Sequence, residues 1–218
     1  MKKTILVVCG GTSREREVSL KTGKACSNAI KDLKYKVLIF DPAKKDFKKI
    51  KNYKVDIIFN ALHGRDGEDG IAQSYFEYFK IPYTHSGILP SMNAMDKIIS
   101  KNIFKKNKIR TPAYIELNSI NYSSILKERS MFTSRLCYPL VLKPSNEGSS
   151  IGVTICKNFI QLKKNANKLI KKYKTLVVEN FVGGQEIQVA VINGKSLGAI
   201  ELKPKRKFYD YKAKYSKS

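Results

Sequence analysis

The chain has 218 residues, with 42 Lys and Arg against 18 Asp and Glu, so its formal net charge is +24. It is long enough to bury one large core or two modest ones. Such a charge would indicate a nucleic-acid or anionic-membrane partner if it were gathered in a stripe. Instead lysines recur along nearly every segment, and only 7 of the 42 basic residues are arginine, the better phosphate fork and base reader. A nucleic-acid partner is therefore set aside, and no stretch approaches transmembrane length.

Thr4 to Cys9 (TILVVC) is a continuous apolar, β-branched run suited to a strand buried on both faces. Its basic lead superficially mimics a signal peptide, but the run stops at Gly10-Gly11 and charged SRERE follows, which reads as a first strand. A helix is predicted from about Arg14 to Leu33, with Ser13 as its N-cap. Val37 to Phe40 and Val55 to Phe59 are further strands. A helix over Gly70 to Phe79 should set Ile71, Tyr75, Phe76 and Phe79 on one face. Ile81 to Thr84 is a short last strand, and Ser91 to Lys106 a single amphipathic helix. Alternating strands and helices imply a parallel sheet covered on both sides.

After Arg110-Thr111-Pro112 the texture becomes α+β. Strands are expected at Tyr114 to Leu117, Leu140 to Lys143, Val153 to Cys156, Leu176 to Glu179, Ile187 to Ile192 and Leu197 to Leu202. Helices are expected near Tyr122 to Arg129 and Phe159 to Tyr173. Pro139 to Val153 (PLVLKPSNEGSSIGV) reads as a hairpin with a mobile, small-residue tip. Its Gly148 and serines would let backbone N–H groups close over phosphate oxygens, with Lys143 as a positive charge at the base. An ordinary flexible hairpin explains the same residues.

Four cysteines, Cys9, Cys26, Cys137 and Cys156, lack CxxC spacing, and the only histidines, His63 and His85, are far apart, which argues against zinc. Cys9 and Cys156 end apolar runs and read as buried thiols of a cytoplasmic protein. The Gly-Gly turn after the first strand, with the helix N-terminus behind it, is a natural anion or carboxylate site. It lacks GxGxxG spacing, so dinucleotide binding is disfavoured. Glu17 serves the helix dipole. The NALHGRDGEDG loop follows a buried strand, where open α/β sheets bind ligands. His63 there has a functional or a turn-stabilising role, and Asp66, Glu68 and Asp69 read as turn and cap residues. Lys97 is by itself a solvated helix lysine. Glu179 to Glu186 is either a nucleotide-framing hinge or a β-turn, and FYDYKAKY either a stacking surface or a lid.

Taken in order, GGTSREREVSL, ALHGRDGEDG, IPYTHSG, MDK, VLKPSNEGSSIGV and YDYKAKY closely resemble the D-alanine:D-alanine ligases of the ATP-grasp superfamily. The resemblance runs from Ile5 to Tyr215. It implies an α/β Rossmann-like N-terminal domain (1–95), a central α+β ATP-grasp domain with the phosphate hairpin (96–182), and the beginning of a C-terminal ATP-grasp half (183–218). It further implies the substrates D-alanine and ATP, Mg²⁺ as cofactor, and a homodimer joined through the N-terminal region. Glu15 would hold the ammonium of the first D-alanine and His63 would lie near its carboxylate. Ser149 would hydrogen-bond Glu15 and Tyr215. Lys97 and Lys143 would contact the α- and β-phosphates and Lys214 the γ-phosphate, while Glu179 would frame adenine and Glu186 the ribose. Tyr215 resembles the dipeptide-forming version of its loop.

Two features depart from the family pattern. Asn180 stands where lysine is usual beside adenine. The metal-binding Asp, Glu and Asn of the family lie in a segment beyond the position of Ser218, so the 218-residue chain is expected to be inactive alone, with strand edges around Ile187 to Leu202 left unpaired. The alternatives are another ATP-grasp carboxylate-amine ligase and a non-catalytic binding fragment.

Overall fold

The computed structural model describes residues 2–134 and 136–203. They fall into two compact units, one of residues up to 109 together with 145–149, the other of 110–144 together with residues from 150 on.

The first unit is built on a parallel sheet of β1 (Thr4–Val8), β2 (Lys36–Phe40) and β3 (Ile57–Asn60), in the order β2-β1-β3. β1 is central, and the period-2 alternation of its side chains feeds two cores. Leu6 and Val8 pack with Phe40, Ile58 and Phe76 on one face. Val7 and Cys9 pack with Ile30 and Ala61 on the other. That division is why TILVVC carries no polar alternation. The second face is covered by α1 (Arg16–Asp32). The first is covered by a 3₁₀ helix (Phe47–Asn52) and α2 (Ile71–Tyr78). Phe40, Ile50, Ile58 and Phe76 are fully buried there, each burial being worth about 1.5–3 kcal/mol.

Helix α1 approaches β1 closely at Gly23, where an added Cβ would lie 2.5 Å from the Cys9 Cβ. The loop after β1 is tied to the end of β2 by Arg16. Its Nη2 donates to Asp41 Oδ2 at 2.6 Å and its Nη1 to Oδ1 at 3.0 Å, while the Gly11 amide also donates to Oδ1 at 3.0 Å. The Arg16 guanidinium, helped by the Gly11 and Ala43 amides, holds the Asp41 carboxyl down at a pKa of about 2. No helix among the described residues is long and apolar enough to cross a membrane.

Several sequence expectations are corrected here. The single helix over Ser91 to Lys106 is two, α3 (Ile88–Met95) and α4 (Lys97–Lys106). Asp96 separates them because its backbone is extended and its carboxylate caps α4 by accepting from the amides of Ile98 (2.8 Å) and Ile99 (3.1 Å). Ile71 does not join the buried face of α2. It is 40% exposed, and the buried positions are Ala72, Gln73 and Phe76. The strand expected at Ile81 to Thr84 is reduced to a single parallel bridge, Ile58 to Tyr83.

The second unit contains an antiparallel sheet in the order β4-β7-β5-β6, made of β4 (Tyr114–Asn118), β5 (Leu140–Pro144), β6 (Thr154–Cys156) and β7 (Thr175–Asn180). Leu140, Leu142, Leu176 and Val178 face the core shared with α7 (the helix Phe159–Ile170, which buries Leu162 and Ala166). The short helices α5 (Tyr122–Ile125) and α6 (Arg129–Ser134) replace the one helix expected near Tyr122 to Arg129. Cys156 is buried in this core and Cys9 in the first unit, as their places at the ends of apolar runs imply.

β8 (Glu186–Ile192) and β9 (Lys195–Leu202) pair with each other through an Asn193-Gly194 turn in which both residues have positive φ, the geometry that suits a two-residue hairpin. No third strand joins them among the described residues, and Ile187, Val191, Leu197 and Ile200 are all more than half exposed.

Two measurements test this packing. Gly23→Ala gains up to about 1 kcal/mol of helix propensity, but its methyl overlaps Cys9, an overpacking cost of typically 1–3 kcal/mol. Thermal denaturation should show the variant less stable. Asp41→Asn should cost roughly 1–2 kcal/mol at neutral pH after allowance for solvent screening. Because the folded pKa is lowered, wild type keeps this advantage above the ordinary value of 3.8 and loses it as pH falls toward about 2. Denaturant titrations across that window should show the two stabilities converging.

Candidate active site

In the first unit the site grows from α1. Glu15 occupies its N-cap position without making a side-chain cap bond, so Ser13 is not the N-cap. The Ser13 hydroxyl accepts from the Glu15 amide (3.1 Å) and donates to the His63 carbonyl (2.6 Å), joining the loop after β1 to the loop after β3. One turn into the helix, the fully buried Ser19 hydroxyl accepts from Gly10 N (2.8 Å) and donates to Ala61 O (2.7 Å). Thr22 Oγ1 lies 3.0 Å from His63 Nε2. Glu15, Ser19 and Thr22 are spaced at i, i+4 and i+7, which puts them on one face of α1.

Glu15 as a residue is 4% exposed. Its Oε1 accepts a short hydrogen bond from the Ser149 hydroxyl. Its Oε2 lies close to two glycines: an added Cβ would come within 2.6 Å at Gly64 and 3.0 Å at Gly148. Gly64 also has φ +69, which an L side chain rarely adopts. No ion pair among the described residues neutralises this carboxylate, although burying one without a cation costs several kcal/mol.

The loop after β3 is held by two buried amides. Asn60 Nδ2 and Gln73 Nε2 both donate to the Gly67 carbonyl, at 2.9 and 2.8 Å. Asp69 serves the turn, accepting from the Asp66 and Ile71 amides, whereas the Asp66 carboxylate accepts from the distant Thr12 hydroxyl. Glu68 also takes a turn contact, accepting from the Gly64 amide, and it faces His63 as well. Its Oε1 lies 4.0 Å from His63 Nδ1 on a side chain that is 48% exposed, and partial desolvation, with repulsion from Glu15, raises its pKa above the ordinary carboxylate value. A cavity of about 380 Å³ opens beside His63 and Glu68, bounded also by Phe59, Gln73, His85 and Pro90.

Residues 145–149, the tip of the hairpin between β5 and β6, complete this cluster. Lys97 Nζ donates to the carbonyls of Ser145 and Glu147, and Asp96 accepts from the Ser145 hydroxyl at 2.9 Å. Lys97 is thus engaged with the tip and is not a solvated helix lysine. Ser149 has φ 47, a left-handed conformation that costs a non-glycine residue about 1–2 kcal/mol and aims its hydroxyl at Glu15.

In the second unit, Lys143 on β5 and Glu179 on β7 form an ion pair. The register sets Val141 opposite Glu179 and Lys143 opposite Val177, so the pair is a diagonal neighbour on the sheet face away from the helices. Asn180 accepts from the Cys137 amide at 2.8 Å, which occupies the side chain that stands at the usual lysine position. Glu186 begins β8 and is exposed. Lys214 and Tyr215 lie outside the described residues.

The structure therefore joins Glu15 with Ser149, and Lys143 with Glu179. Thr22 and the carboxylate of Glu68 were not singled out by sequence reasoning. The i, i+4, i+7 spacing of polar residues on α1 was the available signal for Thr22, whereas Glu68 carries none that separates it from its acidic neighbours.

A family model described as D-ala D-ala ligase C-terminus matches residues 103–218, and one described as D-ala D-ala ligase N-terminus matches residues 40–86. A D-alanine–D-alanine ligase of Pelagibacter ubique (strain HTCC1062) is 52% identical over 100% of this chain and 70% of its own length. The crystal structure of a D-alanine–D-alanine ligase from Bacillus anthracis aligns with TM-score 0.80 at 34% identity, covering 98% of this chain and 69% of that one. The B. anthracis enzyme complexed with ATP aligns with TM-score 0.78 at 30% identity, covering 95% and 68%. The chain spans about two thirds of the length of relatives such as the Wolbachia ligase, of which it covers 66%. The parallel sheet, the antiparallel sheet and these matches define an ATP-grasp ligase. The chain belongs to the D-alanine–D-alanine ligase family.

Gly64→Ala tests the Glu15 cradle. It should lose roughly 1–2 kcal/mol from the left-handed backbone, read by thermal denaturation, and a crystal structure of the variant should show the Glu15 carboxylate displaced from Ser149.

Proposed function

We propose that this chain carries the residues for the first D-alanine, and part of those for ATP, in the ATP-dependent formation of D-alanyl-D-alanine for peptidoglycan. The observation that carries this reading is the buried Glu15 carboxylate, held by Ser149 and two glycines with no cation beside it among the described residues. An ammonium group is the ligand that such a site lacks.

Carboxylates are poor electrophiles. In the proposed reaction, ATP as a substrate passes its γ-phosphoryl group to the carboxylate of the first D-alanine, giving an acylphosphate and ADP. The amine of the second D-alanine attacks the acyl carbon, and the tetrahedral intermediate collapses with release of phosphate. Catalysis of this kind rests on positioning and charge neutralisation. Glu15 holds the ammonium of the first D-alanine, His63 faces its carboxylate, and Ser149 keeps the Glu15 carboxylate in place. Lys97 and Lys143 serve phosphate oxygens, and the Lys143–Glu179 pair suits a residue that exchanges a protein carboxylate for a phosphate. Glu179 and Glu186 attend the nucleoside, with Lys214 and Tyr215 in the loop that follows.

Mg²⁺ would neutralise charge in phosphoryl transfer. No group of three His, Cys, Asp or Glu stands together to hold a metal among the described residues, and none of the roles above runs through it. The free thiols support a cytoplasmic setting, and a homodimer is the assembly to test by sedimentation.

Glu15→Gln keeps the shape and removes the charge. Calorimetric titration with D-alanine should show affinity lowered by roughly 10- to 100-fold, since a hydrogen bond to a charged group contributes about 1.5–3 kcal/mol. Unchanged D-alanine affinity in a folded variant would sink the assignment.

A further inference from the structure

Within the first unit His63 has a hydrogen-bonding contact on two sides and faces a carboxylate on a third. Ser13 donates to its backbone carbonyl at 2.6 Å, Thr22 Oγ1 lies 3.0 Å from its Nε2, and Glu68 Oε1 lies 4.0 Å from its Nδ1. A neutral imidazole has one N–H and one lone pair, and the tautomer follows the partner of each nitrogen. An ionised carboxylate can only accept, so the field of Glu68 favours the proton on Nδ1. Nε2 then presents its lone pair to Thr22, whose hydroxyl can donate to it. Thr22 comes from α1, 41 residues away in sequence, and reaches His63 because α1 lies on the sheet face from which the loop after β3 emerges. Phe59, Gln73 and His85 border the same cavity as His63, but His85 Nε2 is 2.7 Å from the Asn60 carbonyl, so it is committed to the backbone.

We propose that Thr22 is a positioning residue that fixes the tautomer and ring orientation of His63, with its hydroxyl donating to Nε2 while Glu68 draws the proton to Nδ1. The consequence for function rests on the reading that His63 faces the carboxylate of the first D-alanine. An imidazole that presents the wrong nitrogen or an averaged orientation would meet that carboxylate less well. The hydroxyl also serves the charged ring, because it can rotate to accept from Nε2–H, so one residue holds the ring in both protonation states. Valine matches the shape of threonine but supplies neither function. Serine supplies both.

The test uses the whole chain with ¹⁵N-labelled histidine, whose spectrum contains two imidazoles, His63 and His85. Long-range ¹H–¹⁵N correlation at a pH where the rings are neutral should show His63 protonated at Nδ1 in wild type and in Thr22→Ser. Thr22→Val should change the His63 nitrogen shifts toward a mixture of tautomers and leave His85 unmoved, which serves as the control for folding. D-alanine affinity, followed by titration, should fall roughly tenfold in Thr22→Val, as expected for one hydrogen bond, and be retained in Thr22→Ser. His63 nitrogen shifts identical in wild type and Thr22→Val would overturn the proposal, as would a wild-type ring protonated at Nε2. If Thr22→Val changes the His63 tautomer while D-alanine leaves the His63 signals untouched in wild type, Thr22 stands as the positioning residue and the assignment of His63 to the substrate falls.

Discussion

The buried carboxylate of Glu15 is the constraint from which the first unit's loops take their form. A carboxylate on a residue that is 4% exposed must be given hydrogen-bond donors or a cation. The chain answers with the Ser149 hydroxyl and with two glycines that let the backbone come within contact of Oε2. Those contacts require the loop after β3 and the tip of the β5–β6 hairpin to arrive at the same place. Ser13 brings in the first through His63, and Lys97 and Asp96 bring in the second through Ser145 and Glu147. Removing the charge would relieve the burial penalty and leave this convergence without a purpose.

Helix α1 is the element on which that convergence turns. It must lie close to β1, and Gly23 allows it to do so against Cys9. Arg16 ties its first turn to Asp41 at the end of β2, and Ser19 links the ends of β1 and β3 through one hydroxyl. Each link is modest by itself, at about 0.5–1.5 kcal/mol for a neutral hydrogen bond and more where charge is involved. Together they hold Glu15, Ser19 and Thr22 on one stripe facing the carboxyl ends of the strands, which is where an open parallel sheet presents its ligand-binding loops.

Much of this was legible from composition and order. The continuous run TILVVC marks a strand with two buried faces, and the switch to α+β texture after Pro112 marks a second kind of sheet. The succession of short motifs carried the family as a whole, and with it the pairing of Glu15 with Ser149 across 134 residues. Other features were misread for identifiable reasons. Helical periodicity runs straight through Asp96, because the break there is made by a capping carboxylate and an extended backbone that leave the apolar pattern intact. Ile71 fits the apolar face of α2 by spacing but stands at the first turn, where α2 buries Ala72 in its place. Lys97 resembles a surface lysine until the hairpin tip folds against it.

The sequence by itself determined the fold class, the family and the residue types of the site, because these depend on local periodicity, on turn chemistry and on motif order, all of which are written along the chain. Apart from the Glu15–Ser149 pair, only the tertiary structure decided which polar groups meet. Thr22 touches His63, Glu68 differs from Asp66 and Asp69, and Asn180 is taken up by the Cys137 amide. These contacts join residues far apart in the chain or single out one acid among adjacent acids, and no local pattern distinguishes them. Each contact exists only once the fold has brought its two groups within reach of one another, at a part-buried position for Thr22 and His63 and an exposed one for Asn180 and Cys137.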